Sequence, residues 1–129
     1  MITFQVTGLP VPQGSMKVIN GHIIHSQGSA LASWRSQVAL EAKKAGAKPH
    51  LEPVEMDLLF TMPRPKTVTR DYPSVAPDLD KLIRAVLDAL TSVAYRDDGQ
   101  VVTINAQKQY GEATGLWVQI WTKLPKTLA

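Results

Sequence analysis

The sequence predicts an α+β fold in a single domain, residues 1–129, in which a mixed β-sheet carries two helices. Two kinds of apolar spacing predict it. Several segments alternate apolar and polar residues with the period of a half-buried strand, and two others repeat apolar residues every three or four positions, as a helix with one buried stripe does. Their order along the chain is β, hairpin, α, β, loop, α, β, β.

Residues 2 to 8 set Ile2, Phe4 and Val6 on one side and Thr3, Gln5 and Thr7 on the other, a strand with one buried face. The prolines and glycine of "LPVPQGSMK" end it in a loop. In "KVINGHIIH", Asn20 and Gly21 separate two short apolar runs, and both tolerate the positive φ of a type I′ turn, so a hairpin follows. From Ser29 to about Ala45, Leu31, Trp34, Val38 and Ala42 recur at helical spacing, with Ser29 or Ser33 able to cap the start and Gly46 the end. "PVEMDLLFTM" alternates again through Val54, Met56, Leu58, Phe60 and Met62, between Pro53 and Pro63.

The stretch "PRPKTVTRDYPSVAP" holds four prolines, three cations and one acid, which predicts a long mobile loop. Such a loop in a small domain is either functional or a solvated linker. Leu79, Leu82, Ile83, Val86, Leu87 and Leu90 then mark the second helix. Beyond it, Val102, Ile104 and Ala106 alternate with Thr103, Asn105 and Gln107, and after the "GEATG" turn Leu116, Val118 and Ile120 alternate with Trp117, Gln119 and Trp121. The two tryptophans share a face, as core or interface residues would.

Composition limits the function classes. An apolar fraction of 44% with 19% charged residues is that of a folded globular chain, and no apolar run approaches the roughly 20 residues needed to cross a bilayer. The opening "MITFQVTGLPVP" lacks the basic start and apolar block of a signal peptide, so a cytoplasmic location is expected. With no cysteine there is neither a disulfide nor a thiolate metal site. A net charge of +3 permits nucleic-acid binding and is weak support for it. His22 and His25 have no second ligand pair for zinc, and "PQGS" lacks the spacing and ending of a phosphate loop.

The stretch "PDLDKLIRAVLDALTSVAYRDDGQVV", residues 77 to 102, gathers acids on both flanks of the second helix. Each has an ordinary explanation. Asp78 suits an N-cap with its side chain accepting a backbone N–H, Asp80 gains from the helix dipole, and "DDG" makes a good turn. Asp80, Arg84 and Asp88 share one side of the helix, while Lys81 points elsewhere. If the sheet carries the 97–98 turn beside the helix start, three carboxylates converge, and their repulsion calls for a cation. Oxygen-only ligation favours a hard ion such as Mg²⁺, which can activate water and neutralise charge in phosphodiester hydrolysis. The whole reading hangs on those two flanks meeting.

"PDLDKLIRAVLDAL" followed by "YRDDGQVV" resembles the RusA family of Holliday-junction resolvases, the crossover junction endodeoxyribonucleases of bacteria and their phages. Its signature is an Asp-x-Asp at a helix start, a basic residue four positions after the second Asp, an Asp-Ala-Leu near the helix end and an Asp-Asp-x-Gln beyond. The likeness is specific over residues 77 to 102 and looser through "PVPQGS" and the helix around Trp34. It implies a homodimeric, Mg²⁺-dependent enzyme, with Mn²⁺ able to substitute, that nicks two opposed strands of a four-way DNA junction. By position Asp78, Asp80 and Asp98 match its catalytic, metal-binding acids, with Asp97 beside them as a further metal candidate.

Arg84 stands where the family usually has a catalytic lysine, and Lys81 replaces a common asparagine. An arginine stays protonated, which assigns Arg84 to electrostatic stabilisation. Lys17, Arg64, Lys66, Arg70, Lys81, Arg96 and Lys108 are the candidate DNA-backbone contacts. Three alternatives stand beside this reading: a nuclease of the same fold acting on other branched DNA, a non-catalytic junction-binding protein, and an interaction module in which every acid is a cap or turn.

Overall fold

The computed structural model describes residues 1–14, 16–19, 22–25 and 28–126, with side chains described for 1–14 and 28–126. Six strands and two helices follow one another as β1 (Ile2–Thr7), β2 (Met16–Ile19), β3 (His22–His25), α1 (Gly28–Lys44), β4 (Val54–Met62), α2 (Leu79–Leu90), β5 (Val101–Tyr110) and β6 (Gly115–Thr122). The α+β expectation holds. Four strands form one sheet in the order β1-β6-β4-β5, in which only β4 and β5 run parallel. β2 and β3 pair as an antiparallel hairpin, Met16 opposite His25. The predicted Asn20–Gly21 turn and the side chains of Lys17, His22 and His25 lie outside the described residues.

One face of the sheet is the core. Phe4 and Val6 of β1, the even-numbered residues of β4 from Val54 to Met62, and Leu116, Val118 and Ile120 of β6 are buried against the helices. Those helices contribute Leu31, Trp34, Val38 and Ala42 from α1, and Leu82, Ala85, Val86, Ala89 and Leu90 from α2. α1 lies over β1 and α2 over β5. Gly46, at φ +94°, ends the first helical stretch in the left-handed region that glycine occupies without strain.

The opposite face is uncovered in one chain. Trp117 and Trp121 lie there half-buried, so they are not core residues, and Trp121 Nε1 donates to Glu55 Oε2 at 2.6 Å. β5 departs from the expected alternation at its start. Val54 pairs with Val101 but Glu55 pairs with Thr103, so Val102 is an extra residue, 55% exposed, and does not join Ile104 and Ala106 on the core side. A bulge of this kind is invisible to a strict period of two.

Connectivity fixes the direction of α2. β4 and β5 run the same way, and the helix between them must return, so it starts over their C-terminal ends and finishes over their beginnings. Segment 63–77 makes the turn at the first end. It contains no helix or strand, yet several contacts pin it. The guanidinium of Arg64 stacks 4.8 Å from the Tyr110 ring centroid, Arg70 Nε donates to Tyr110 Oη at 2.9 Å, and Pro73 is buried. The expected long loop is therefore anchored on the end of β5.

Candidate active site

Asp78 occupies the N-cap position of α2 with extended backbone angles, φ −67° and ψ 139°. Its carboxylate makes no capping hydrogen bond. Instead Oδ2 lies 3.6 Å from Lys81 Nζ, so the capping role expected for this side chain is not performed. Lys81 is thereby engaged at the helix start, and its carbonyl also accepts from Gln13 N at 3.0 Å. Asp80, in the first turn, is exposed and takes no hydrogen bond or ion pair from any described residue. Asp78 and Lys81 border a cleft of about 620 Å³ whose other walls include Pro10, Gln13, Ala30 and Met62.

One side chain holds the approach to this end. Lys108 Nζ, reaching from β5, donates to the carbonyls of Val75 and Pro77, each at 2.9 Å. That fixes the residue just before Asp78 and gives Lys108, expected as a DNA-backbone contact, a structural role as well.

The second acidic group forms at the other end of α2. Tyr95, fully buried, donates from its hydroxyl to Leu87 O at 2.7 Å and locks the segment after the helix against the helix's last turn. Burial, followed by the charge of Asp98 and a smaller influence from Asp88, pushes the Tyr95 phenol well above its ordinary range. Asp88 and Asp98 thus lie in the same neighbourhood. Asp97 caps a short 3₁₀ turn, Asp98–Gln100, its Oδ1 accepting from Gly99 N at 3.1 Å while Gln100 returns a bond to its backbone. Asp98 is exposed and takes no such bond.

Gln100 is to this end what Lys108 is to the first. Its Oε1 accepts from Arg96 N and Asp97 N, and its Nε2 donates to His50 O and Glu52 O. Four bonds from one amide seat the turn that carries Asp98 beside the start of β4.

The two groups do not meet within one chain. They flank a 12-residue helix, and at 1.5 Å per residue about 18 Å separates its ends. Among the described residues no group of three or more His, Cys, Asp or Glu side chains is placed to hold a metal ion. The donor chemistry suits Mg²⁺ or Mn²⁺, but the placement in a single chain does not. The sequence left the sheet free to bring the 97–98 turn to the helix start. The parallel β4–β5 pairing carries it to the helix end instead.

Comparison with known proteins identifies the family. The pattern described as Endodeoxyribonuclease RusA matches residues 8–121. The chain belongs to the RusA family. A curated relative from Bacillus subtilis (strain 168), named uncharacterized protein YqaN, is 33% identical over 135 aligned positions, covering 92% of this chain and 94% of the relative. Among the described residues no helix is long and apolar enough to cross a membrane.

Within this family member the other predicted site residues divide by place. Arg84 is exposed at mid-helix with no hydrogen bond or ion pair to any described residue. Lys66 is exposed in the anchored segment near the Asp78 end, alongside Arg64 and Arg70, whereas Arg96 sits at the Asp98 end. Sequence reasoning passed over three residues as site candidates. Asp88 was noted only for its helix face and as part of the Asp-Ala-Leu run, Gln100 only as part of the Asp-Asp-x-Gln run, and Gln13 not at all. Gln13 had one signal, its place in "PVPQGS".

Proposed function

We propose that this RusA family member is a structure-specific endodeoxyribonuclease that resolves Holliday junctions by paired, symmetric nicks, serving DNA recombination and repair in the cytoplasm of a bacterial cell, on host or phage DNA. One observation carries the reading. The residues that match the family's catalytic acids, Asp78, Asp80 and Asp98, are exposed and serve no cap or turn, while neighbouring Asp97 does. Carboxylates that cap nothing, Asp78 having only its ion pair with Lys81, are better suited on a protein of net positive charge to reaction chemistry than to holding DNA.

Roles follow from the chemistry of each side chain. Arg84, always protonated, stabilises negative charge on the attacked phosphate and cannot shuttle a proton. Arg64, Lys66 and Arg70 hold the sugar-phosphate backbone near the start of α2, a contact that orients DNA without reading its sequence. Asp78, Asp80 and Asp98, with Asp97 beside them, would hold Mg²⁺ or Mn²⁺ through carboxylate oxygens, and such an ion would supply water activation and charge neutralisation at the phosphate.

The test compares cleavage of synthetic four-way junctions, Y-forks and flaps with and without Mg²⁺. Paired nicks at symmetric positions of the four-way junction are expected, with weaker cutting of the others. Preferred cutting of forks or flaps would transfer the reading to a branched-DNA nuclease of the same fold, and tight junction binding with no cutting would make the protein a non-catalytic binder.

A further inference from the structure

The segment after β1 carries an amide whose oxygen the fold leaves idle. Gln13 N donates to Lys81 O at 3.0 Å, which ties the backbone of this segment to the first turn of α2. The side chain borders the cleft of about 620 Å³ beside Asp78, and its Oε1 is buried without a hydrogen-bond partner. A buried acceptor left unpaired is costly, and folded proteins seldom keep one without a use for it. The Gln13 side chain is half-buried and has several rotatable bonds, so Oε1 gives up no hydrogen bond by turning into the cleft toward a donor.

The other walls of the cleft indicate what brings that donor. They are mostly apolar. Pro10, Val11 and Met62 are themselves buried and so held in place, and Ala76 and Pro77 lie on the side next to Asp78. A largely apolar cleft of about 300–1,000 Å³ with one or two placed polar groups is the usual form of a small-ligand site. Asp78, one of the acids assigned to the reaction, borders the same space, and the cationic segment with Arg64, Lys66 and Arg70 leads into it. A group entering here therefore belongs to the strand being cut. A nucleobase has flat apolar faces for these walls and N–H groups on its edge for Oε1.

We propose that this cleft receives an unstacked nucleobase next to the scissile phosphate, and that Gln13 selects the base by accepting from its exocyclic amino group. The inference rests on the endonuclease reading above and adds a base-reading residue to it. Cytosine and adenine present amino donors at N4 and N6 where thymine and guanine present the oxygens O4 and O6. An oxygen set against Oε1 repels it and leaves the acceptor unpaired, so cytosine and adenine are favoured. Bases at a branch point are less firmly stacked and paired than those within an arm, which lowers the cost of drawing one out.

The test uses four-way junctions that differ only in the bases flanking each cut. At one flanking position the wild type should cut junctions with cytosine or adenine faster, by on the order of 10-fold, than those with thymine or guanine. Gln13→Leu should abolish that ratio whatever its overall rate, and Gln13→Glu, which keeps an oxygen acceptor, should retain it. Gln13→Leu keeps the bulk and removes the unpaired oxygen, so in chemical denaturation it should be at least as stable as the wild type. Clear destabilisation would show an amide employed by the fold and overturn the proposal. So would a ratio that Gln13→Leu leaves intact, or a preference for thymine or guanine.

Cutting of four-way junctions regardless of base overturns the base site and leaves the nuclease reading standing. A wild type that cuts no branched DNA removes the nuclease reading, and binding then decides the base site. Pyrrolocytosine, a cytosine analogue that keeps an N–H donor and brightens on unstacking, is placed at the branch point of a junction and the protein is added in EDTA. A rise in fluorescence that Gln13→Leu weakens upholds the base site. No rise, or one that the variant shares in full, overturns it.

Discussion

The two ends of α2 carry the same chemistry on different supports. At its start, Asp78 has Lys81 at 3.6 Å, the segment before it is tied down by the ammonium of Lys108, and the helix dipole favours negative charge. At its finish, Asp98 and Asp88 share a neighbourhood at the end of the helix that disfavours anions, and the tether is the neutral amide of Gln100. The start has an ion pair, and among the described residues the finish has none. The contrast teaches that acids at two ends of one helix can be held in place by different means, a charged tether with an ion pair at the start and a neutral tether without one at the finish.

The sharpest way to break the comparison is to neutralise one acid at each end. Asp80→Asn and Asp98→Asn should each lower junction cleavage by on the order of 10²–10³ while leaving junction binding equal or tighter, because a charge that repels phosphate has gone. Gel-shift and single-turnover cleavage assays on the same junction measure both. If Asp98→Asn cuts like the wild type, the finish of the helix has no catalytic part and the two ends are unlike in function as well as in support.

Next in size is the residue between them. Arg84→Ala should reduce cleavage by about 10², and Arg84→Lys should recover most of that if charge is the contribution. If the Arg84→Lys variant gains a new pH dependence near the alkaline range, absent with arginine, proton transfer matters at this position after all.

The tethers come third. Gln100→Ala removes four hydrogen bonds and Lys108→Met removes two, the latter charge-assisted. Each should cost about 1–2 kcal/mol of stability, since exposed partners regain water. Chemical denaturation gives the stability. Cleavage should fall further than stability explains, because each substitution loosens the acids it positions, Asp98 for Gln100 and Asp78 for Lys108.

Much of this comparison was legible in the sequence, and its decisive part was not. The hydrophobic stripe of α2, the alternation of β4 and β6 and the glycine after α1 all reported their places, because burial periodicity is a local signal. The acids were found as a set, with Asp97 placed beside the matched positions and not among them, and its capping bond was not visible. What the sequence hid is pairing order. Whether β5 lies parallel to β4 is decided by which strand inserts between β1 and β4, a contest among long-range contacts that leaves no mark on any one segment. The bulge at Val102 and the inward turn of Lys108 were hidden for the same reason, since each depends on a neighbour distant in the chain.

The smallest expected effect probes the helix finish without touching an acid. Tyr95 Oη donates to Leu87 O, which also accepts from Thr91 N at 3.2 Å and Thr91 Oγ1 at 2.9 Å, so Tyr95→Phe leaves that carbonyl satisfied. A loss of about 1 kcal/mol or less at neutral pH is expected. The pH dependence is more informative than the size. Burial and then the Asp98 charge hold the folded phenol above its unfolded value, so the neutral hydroxyl contributes fully below about pH 10 and its contribution is lost as pH rises beyond that. Wild-type stability should therefore fall faster than that of Tyr95→Phe above about pH 10, by up to roughly 1.4 kcal/mol per pH unit. Denaturant titrations of the two proteins at pH 8 and pH 10.5 supply the comparison, and equal losses over that interval would mean that neither burial nor the Asp98 charge holds the phenol above its unfolded value.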